Sequence, residues 1–195
     1  LATSLDASST TSWIPIGTDG AGHVLNSGNG FNGEFEGLGH TISNLTIDMP
    51  STNLVGIFGD MSTLAILRDV AVVGGSFTGK NEVGALVGYI KWNRGGTTIE
   101  NTFSTSSVQG GAEIGGLVGE SYLSPDLVIR NSFVNGNVAG TGDYVGGITG
   151  AGGSVVDSYA TGQVSSLADY VGGIVGLTIS SYEYWQPIEN SHFGG

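Results

Sequence analysis

Short apolar clusters of four to eight residues, separated by glycine, serine and asparagine, run the whole length of the chain, and none extends into a 3.6-residue apolar stripe. One cluster recurs five times: Leu54-Val-Gly-Ile-Phe-Gly59, Val83-Gly-Ala-Leu-Val-Gly88, Ile114-Gly-Gly-Leu-Val-Gly119, Val145-Gly-Gly-Ile-Thr-Gly150 and Val171-Gly-Gly-Ile-Val-Gly176. The closing glycines are 29, 31, 31 and 26 residues apart. A second cluster follows each copy in phase: Leu67-Arg-Asp-Val70, Ile99-Glu-Asn-Thr102, Ile129-Arg-Asn-Ser132, Val155-Val-Asp-Ser158 and Ile188-Glu-Asn-Ser191, with Ile42-Ser-Asn-Leu45 as an earlier copy. A third, weaker one lies between them, as in Tyr159-Ala-Thr-Gly-Gln-Val164.

A repeat of this length means stacked units that bury one continuous core. Helices are disfavoured, because each glycine of the Gly-Gly pairs costs a helix ~1 kcal/mol. The pattern predicts an all-β, right-handed parallel β-helix with three strands per lap and about six partial rungs, the hand following from the rule for parallel connections. Residues 1–195 form a single solenoid domain: a lead-in lap over 1–50, then the repeats over 51–195. Asn44, Asp69, Asn101, Asn131, Asp157 and Asn190 are expected to stack as a structural ladder, with Phe103, Phe133 and Tyr159 as a parallel aromatic stack in the core.

These motifs resemble the GLUG-motif repeats of bacterial secreted and surface proteins, including filamentous-haemagglutinin-like adhesins. Trp13-Ile-Pro-Ile-Gly17 and Phe31-Asn-Gly-Glu-Phe-Glu-Gly-Leu-Gly-His-Thr-Ile-Ser-Asn-Leu-Thr-Ile47 resemble the segment that precedes such repeats. The resemblance implies a secreted or cell-surface β-helical stalk, adhesin or matrix component, and it carries over no catalytic residue.

Composition narrows the chemistry. Gly contributes 36 of 195 residues, and a mean hydropathy of +0.15 is that of a packed chain rather than a disordered one. Five basic against 17 acidic residues give a net charge of −12, which repels phosphate backbones and anionic lipid, so neither nucleic-acid binding nor membrane insertion is expected. With no cysteine there is no disulfide framework and no thiol nucleophile. No cofactor is expected; the acidic charge could collect Ca²⁺, but Gly140-Thr-Gly-Asp143 lacks a calcium-repeat pattern and reads as a turn. His23, His40 and His192 have no metal-type spacing, and Glu34, Glu36 and His40 are the best acid–base candidates in a chain read as non-catalytic.

Lap length points to where a partner binds, because insertions in a solenoid project from particular corners. Residues 89–98, 120–128 and 177–187 share one corner, and they hold Tyr89, Trp92, Arg94, Tyr122, Tyr182, Tyr184 and Trp185. Exposed aromatics there suit a glycan or a surface protein. The unclosed last lap admits a second reading, a filament subunit that self-associates end to end, and the β-helix fold a third, a polysaccharide-active enzyme.

Overall fold

The computed structural model describes residues 1–62, 64–91, 96–121, 127–178 and 186–195. It is a parallel β-solenoid with one three-residue 3₁₀ turn, Asn26–Gly28, among the described residues. All pairings between its strands are parallel.

Each cluster of the repeat forms its own stack. The first half of the Val-Gly-Gly motif gives Val83–Gly84, Ile114–Gly115, Val145–Gly146 and Val171–Gly172. The second half gives Phe58–Met61, Val87–Ile90, Val118–Glu120, Thr149–Ala151 and Val175–Leu177. Ile66–Val73 is long enough to pair with both Thr97–Glu100 and Phe103–Ser104 of the next lap, joining two faces into one large sheet. The third cluster stacks Thr46–Asp48, Ser76–Thr78, Ser107–Gly110, Val138–Gly140 and Val164–Ser165. The three segments expected per lap are thus present, but the first two are each bent in the middle, so a full lap holds five short strands.

The bends have a local cause. Asp69, Asn101, Asn131, Asp157 and Asn190 occupy the second bend with φ between +47° and +55°, a left-handed conformation that Asn and Asp adopt more readily than other side chains. Asn101 Nδ2 donates to Asp69 Oδ1 at 3.0 Å, and Asn190 Nδ2 to Asp157 Oδ1 at 3.1 Å. Asn44 stands in a different row. Its strand, Glu34–Ser43, pairs Ser43 with Val73, so Asn44 falls one corner later and donates to Asp6 Oδ1 at 3.1 Å. A bulge between Glu36 and His40, with Leu38 at φ +54°, occupies the level of Asp69 instead.

Inward positions align from lap to lap: Leu67, Ile99, Ile129 and Val155 are paired in series and fully buried, each such side chain worth about 1.5–3 kcal/mol. The aromatic stack forms on the outer surface rather than in the core. Phe103 and Phe133 lie 4.5 Å apart and Phe133 and Tyr159 5.0 Å, all nearly coplanar in orientation. They face outward because Ser104, Val134 and Ala160, the next residue in each strand, take the inward position.

Candidate acidic cleft

The Val-Gly-Gly motif also builds a groove. Leu54, the first residue of the first copy, and the residue preceding each later copy, Glu82, Glu113, Tyr144 and Tyr170, form one row and sit at positive φ. Their carbonyls tie the row together: Val55 N–H donates to Glu82 O, Val83 to Glu113, Ile114 to Tyr144 and Val145 to Tyr170, all at 3.0–3.1 Å. The residue after each closing glycine forms a second row, Asp60–Tyr89–Glu120–Ala151–Leu177, in strict register. Between the rows lie the closing glycines. A Cβ on Gly119 would stand 2.5 Å from both Gly88 O and Val83 N, so the position has no room for a side chain and the two rows border a backbone floor.

At the lead-in end this groove deepens into a cleft of about 350 Å³ lined by Val24, Gly28, Leu54, Asp60, Glu82, Tyr89, Lys91 and Glu120. The lead-in supplies its wall: Phe31 N–H donates to Asp60 O at 3.0 Å, Gly59 N–H to Ile16 O at 2.8 Å, and Lys91 Nζ to Gly28 O at 2.7 Å. Asp60 is 1% exposed, and neither of its carboxyl oxygens has a hydrogen-bond partner; Glu82 Oε2 is likewise buried and unpartnered. Gly30 at φ +57° makes the space for Asp60, because a Cβ there would lie 2.2 Å from Asp60 Oδ1.

Such burial disfavours the charged form of a carboxyl. It pushes Asp60 up to about 7, with Lys91 opposing. Glu82 and Glu120 are also raised to about 7 by burial, reinforced for Glu82 by Glu113 and for Glu120 by Glu113 and Glu82. Glu113 is raised by burial and then by Asp143, and the Tyr89 hydroxyl by burial and then by Glu120, Asp60 and Glu82. Four acids and a phenol therefore share one electrostatic neighbourhood.

Of the sequence-predicted partner residues, Tyr89 is half-buried in the cleft; Trp92, Arg94, Tyr122, Tyr182, Tyr184 and Trp185 lie outside the described residues. Glu34 and Glu36 are paired with Arg68, whose Nε donates to Glu36 Oε2 at 2.5 Å and whose other nitrogen reaches Glu34, so they form a structural ion pair away from the cleft. His40 Nδ1 lies 3.5 Å from Ser4 Oγ. Asp60, Glu82, Glu113 and Glu120 were not singled out by sequence. Part of their signal was available: Glu82 and Glu113 precede successive copies of the motif, and Asp60 and Glu120 follow its first and third copies. No group of three metal-ligating side chains is poised around one point among the described residues.

Fold and cleft together define a glycine-repeat parallel β-solenoid with an acidic flank. Halomucin of Haloquadratum walsbyi is 35% identical over 142 residues, which is 69% of this chain and 2% of halomucin. A crystal structure from Bacteroides ovatus, provisionally described as an immunoglobulin A1 protease, superposes with a TM-score of 0.73 at 25% identity, covering all of this chain and 58% of that one. The chain thus spans a small part of halomucin and somewhat over half of the solved protein. No protein-family profile matches it.

Proposed function

We propose that the chain is a non-catalytic module of a secreted or cell-surface protein, a piece of adhesin or matrix scaffold that holds a glycan or protein partner on its acidic flank. The observation that carries this reading is the cleft between Glu82 and Glu120, formed by the repeat against the lead-in and lined by Tyr89 and Glu120, with which two of the insertions begin. The similarity to halomucin supports an extracellular setting, and the resemblance to GLUG-type repeats supports the same. The test is binding of the purified chain to a glycan array and to immobilised extracellular matrix proteins, repeated with Tyr89→Ala and Glu120→Ala. Saturable binding lost in both variants is expected; binding indifferent to both would refute the assignment of this flank.

One observation favours a second reading. A carboxyl raised to about 7 in a cleft that holds a second carboxyl can serve as the general acid in hydrolysis of a glycan, the second acting as the ionised base. Asp60 and Glu120 lie two rungs apart on one row, a separation of about 10 Å along the stack. Release of new reducing ends from polysaccharides by the parent chain, abolished by Glu120→Gln, would establish the enzyme.

A further inference from the structure

The unpartnered carboxyl oxygens need donors, and the cleft shows which kind fits. Three buried acceptors, Asp60 Oδ1, Asp60 Oδ2 and Glu82 Oε2, have none. Protonation supplies a single O–H per carboxyl and leaves the second oxygen of Asp60 unsatisfied. A single inorganic cation is a poor match: the space is about 350 Å³, and the acids are spread along two rows rather than gathered about a point. A guanidinium carries five donors in a planar fork suited to carboxylates, and it is the more weakly hydrated of the two cationic side-chain heads. The walls suit the rest of such a side chain. Tyr89 offers a ring for stacking, while Val24 and Leu54 provide apolar surface for the methylene stem. Depth decides between a peptide and a sugar: an ammonium fixed on a pyranose ring cannot extend toward the base of the cleft, where Asp60 is 1% exposed, whereas a flexible stem can.

We propose that the cleft is a socket for an arginine side chain presented by a protein partner, its guanidinium donating to the buried oxygens of Asp60 and Glu82, with Glu120 closing over it from the neighbouring lap. This rests on the partner-binding reading and names its chemistry. Entry of a cation requires the acids to give up their protons, so binding is coupled to proton release. The groups that face them set this coupling: Lys91 and Tyr89 against Asp60, Glu113 and Lys80 against Glu82, Glu82 and Glu113 against Glu120, and Asp143 against Glu113.

The test is calorimetry of the chain with the capped tripeptide Ac-Arg-Arg-Arg-NH₂ at low salt, at pH 8 and pH 6, in buffers of different ionisation enthalpy. One bound peptide is expected, at least about tenfold weaker at pH 6, with protons released to the buffer. Glu82→Gln/Glu120→Gln is expected to weaken binding at least about tenfold, while Asp48→Asn/Asp169→Asn, which removes the same charge from exposed sites, leaves it unchanged. Equal loss in the two double variants would mean diffuse attraction to a chain of charge −12 and would overturn the socket. Equal affinity for trilysine would overturn the fork geometry. Tight Ca²⁺ binding that excludes the peptide would replace the socket with a metal site, and tighter binding of a glucosamine oligomer would replace it with a glycan site. Absence of tripeptide binding, alongside Tyr89-dependent binding on the glycan array, would remove the socket and leave the module reading standing.

Discussion

Replacing Asp60 by Asn isolates the energetic cost of the cleft. Folding takes this carboxyl from an ordinary value near 3.8 to about 7, and each tenfold change in proton affinity is worth about 1.36 kcal/mol, so the full cost is about 4 kcal/mol. The sign follows from which state holds the proton. Between the two values the folded chain keeps the proton more tightly than the unfolded chain, so its stabilising contribution is complete below about pH 4 and is lost as pH rises through 7. From pH 5 to pH 8, Asp60 alone lowers the unfolding free energy by about 2.5 kcal/mol. Glu82 and Glu120 act in the same direction, so the comparison is a double difference: urea unfolding of parent and Asp60→Asn at pH 5 and pH 8, at fixed ionic strength. The variant is expected to lose about 2–3 kcal/mol less than the parent across that interval and to be the more stable protein at pH 8. A parent as stable at pH 8 as at pH 5, or an unchanged slope in the variant, would show that Asp60 is solvated in the folded chain and carries no such cost.

Other consequences follow from the repeat. Gly119→Ala drives a Cβ to 2.5 Å from backbone atoms of the preceding lap and is expected to cost about 3 kcal/mol in urea unfolding; full stability would mean that the laps are less tightly nested. Asn131→Ala places an ordinary side chain at φ +50° and is expected to cost about 1 kcal/mol, whereas Asn131→Gly stays near the parent; the reverse order would contradict the left-handed bend. With a net charge of −12, the thermal midpoint should rise as NaCl increases toward 1 M, where the screening length is about 3 Å; a falling midpoint would point to stabilising surface ion pairs such as Arg68 with Glu34 and Glu36.

The repeat made the solenoid legible, because an apolar period that returns with the same glycines leaves few ways to bury a core. Which residues would share a row was legible only where the register was unbroken. Asn101, Asn131 and Asp157 could be aligned by counting, since their laps run without a bulge at that corner. Asn44 could not: the bulge between Glu36 and His40 adds residues to one strand and shifts the next corner, and no local propensity announces it. The outward aromatic stack was hidden for a related reason. Ser104, Val134 and Ala160 hold the inward places although Phe103, Phe133 and Tyr159 are the larger side chains, so size misdirects where the bend sets the alternation.

The acids illustrate what stacking does to ordinary residues. Glu82 and Glu113 occupy a corner position that Tyr144 and Tyr170 fill two laps later, and Asp60 and Glu120 flank Tyr89 on the other row. Read one lap at a time, each is an unremarkable polar residue at a turn. Stacking repeats the position at about 4.8 Å, so acids in neighbouring laps cannot avoid one another, and the lead-in segment then removes water from one end of the row. Changing the residue at either position, with the scaffold untouched, would convert an acidic stretch into an aromatic one. The parallel solenoid thus separates the residues that fix its fold, the inward aliphatics and the floor glycines, from those that fix its surface chemistry, and the latter change along the rod from carboxylates beside the lead-in to the paired rings of Tyr144 and Tyr170, 5.2 Å apart.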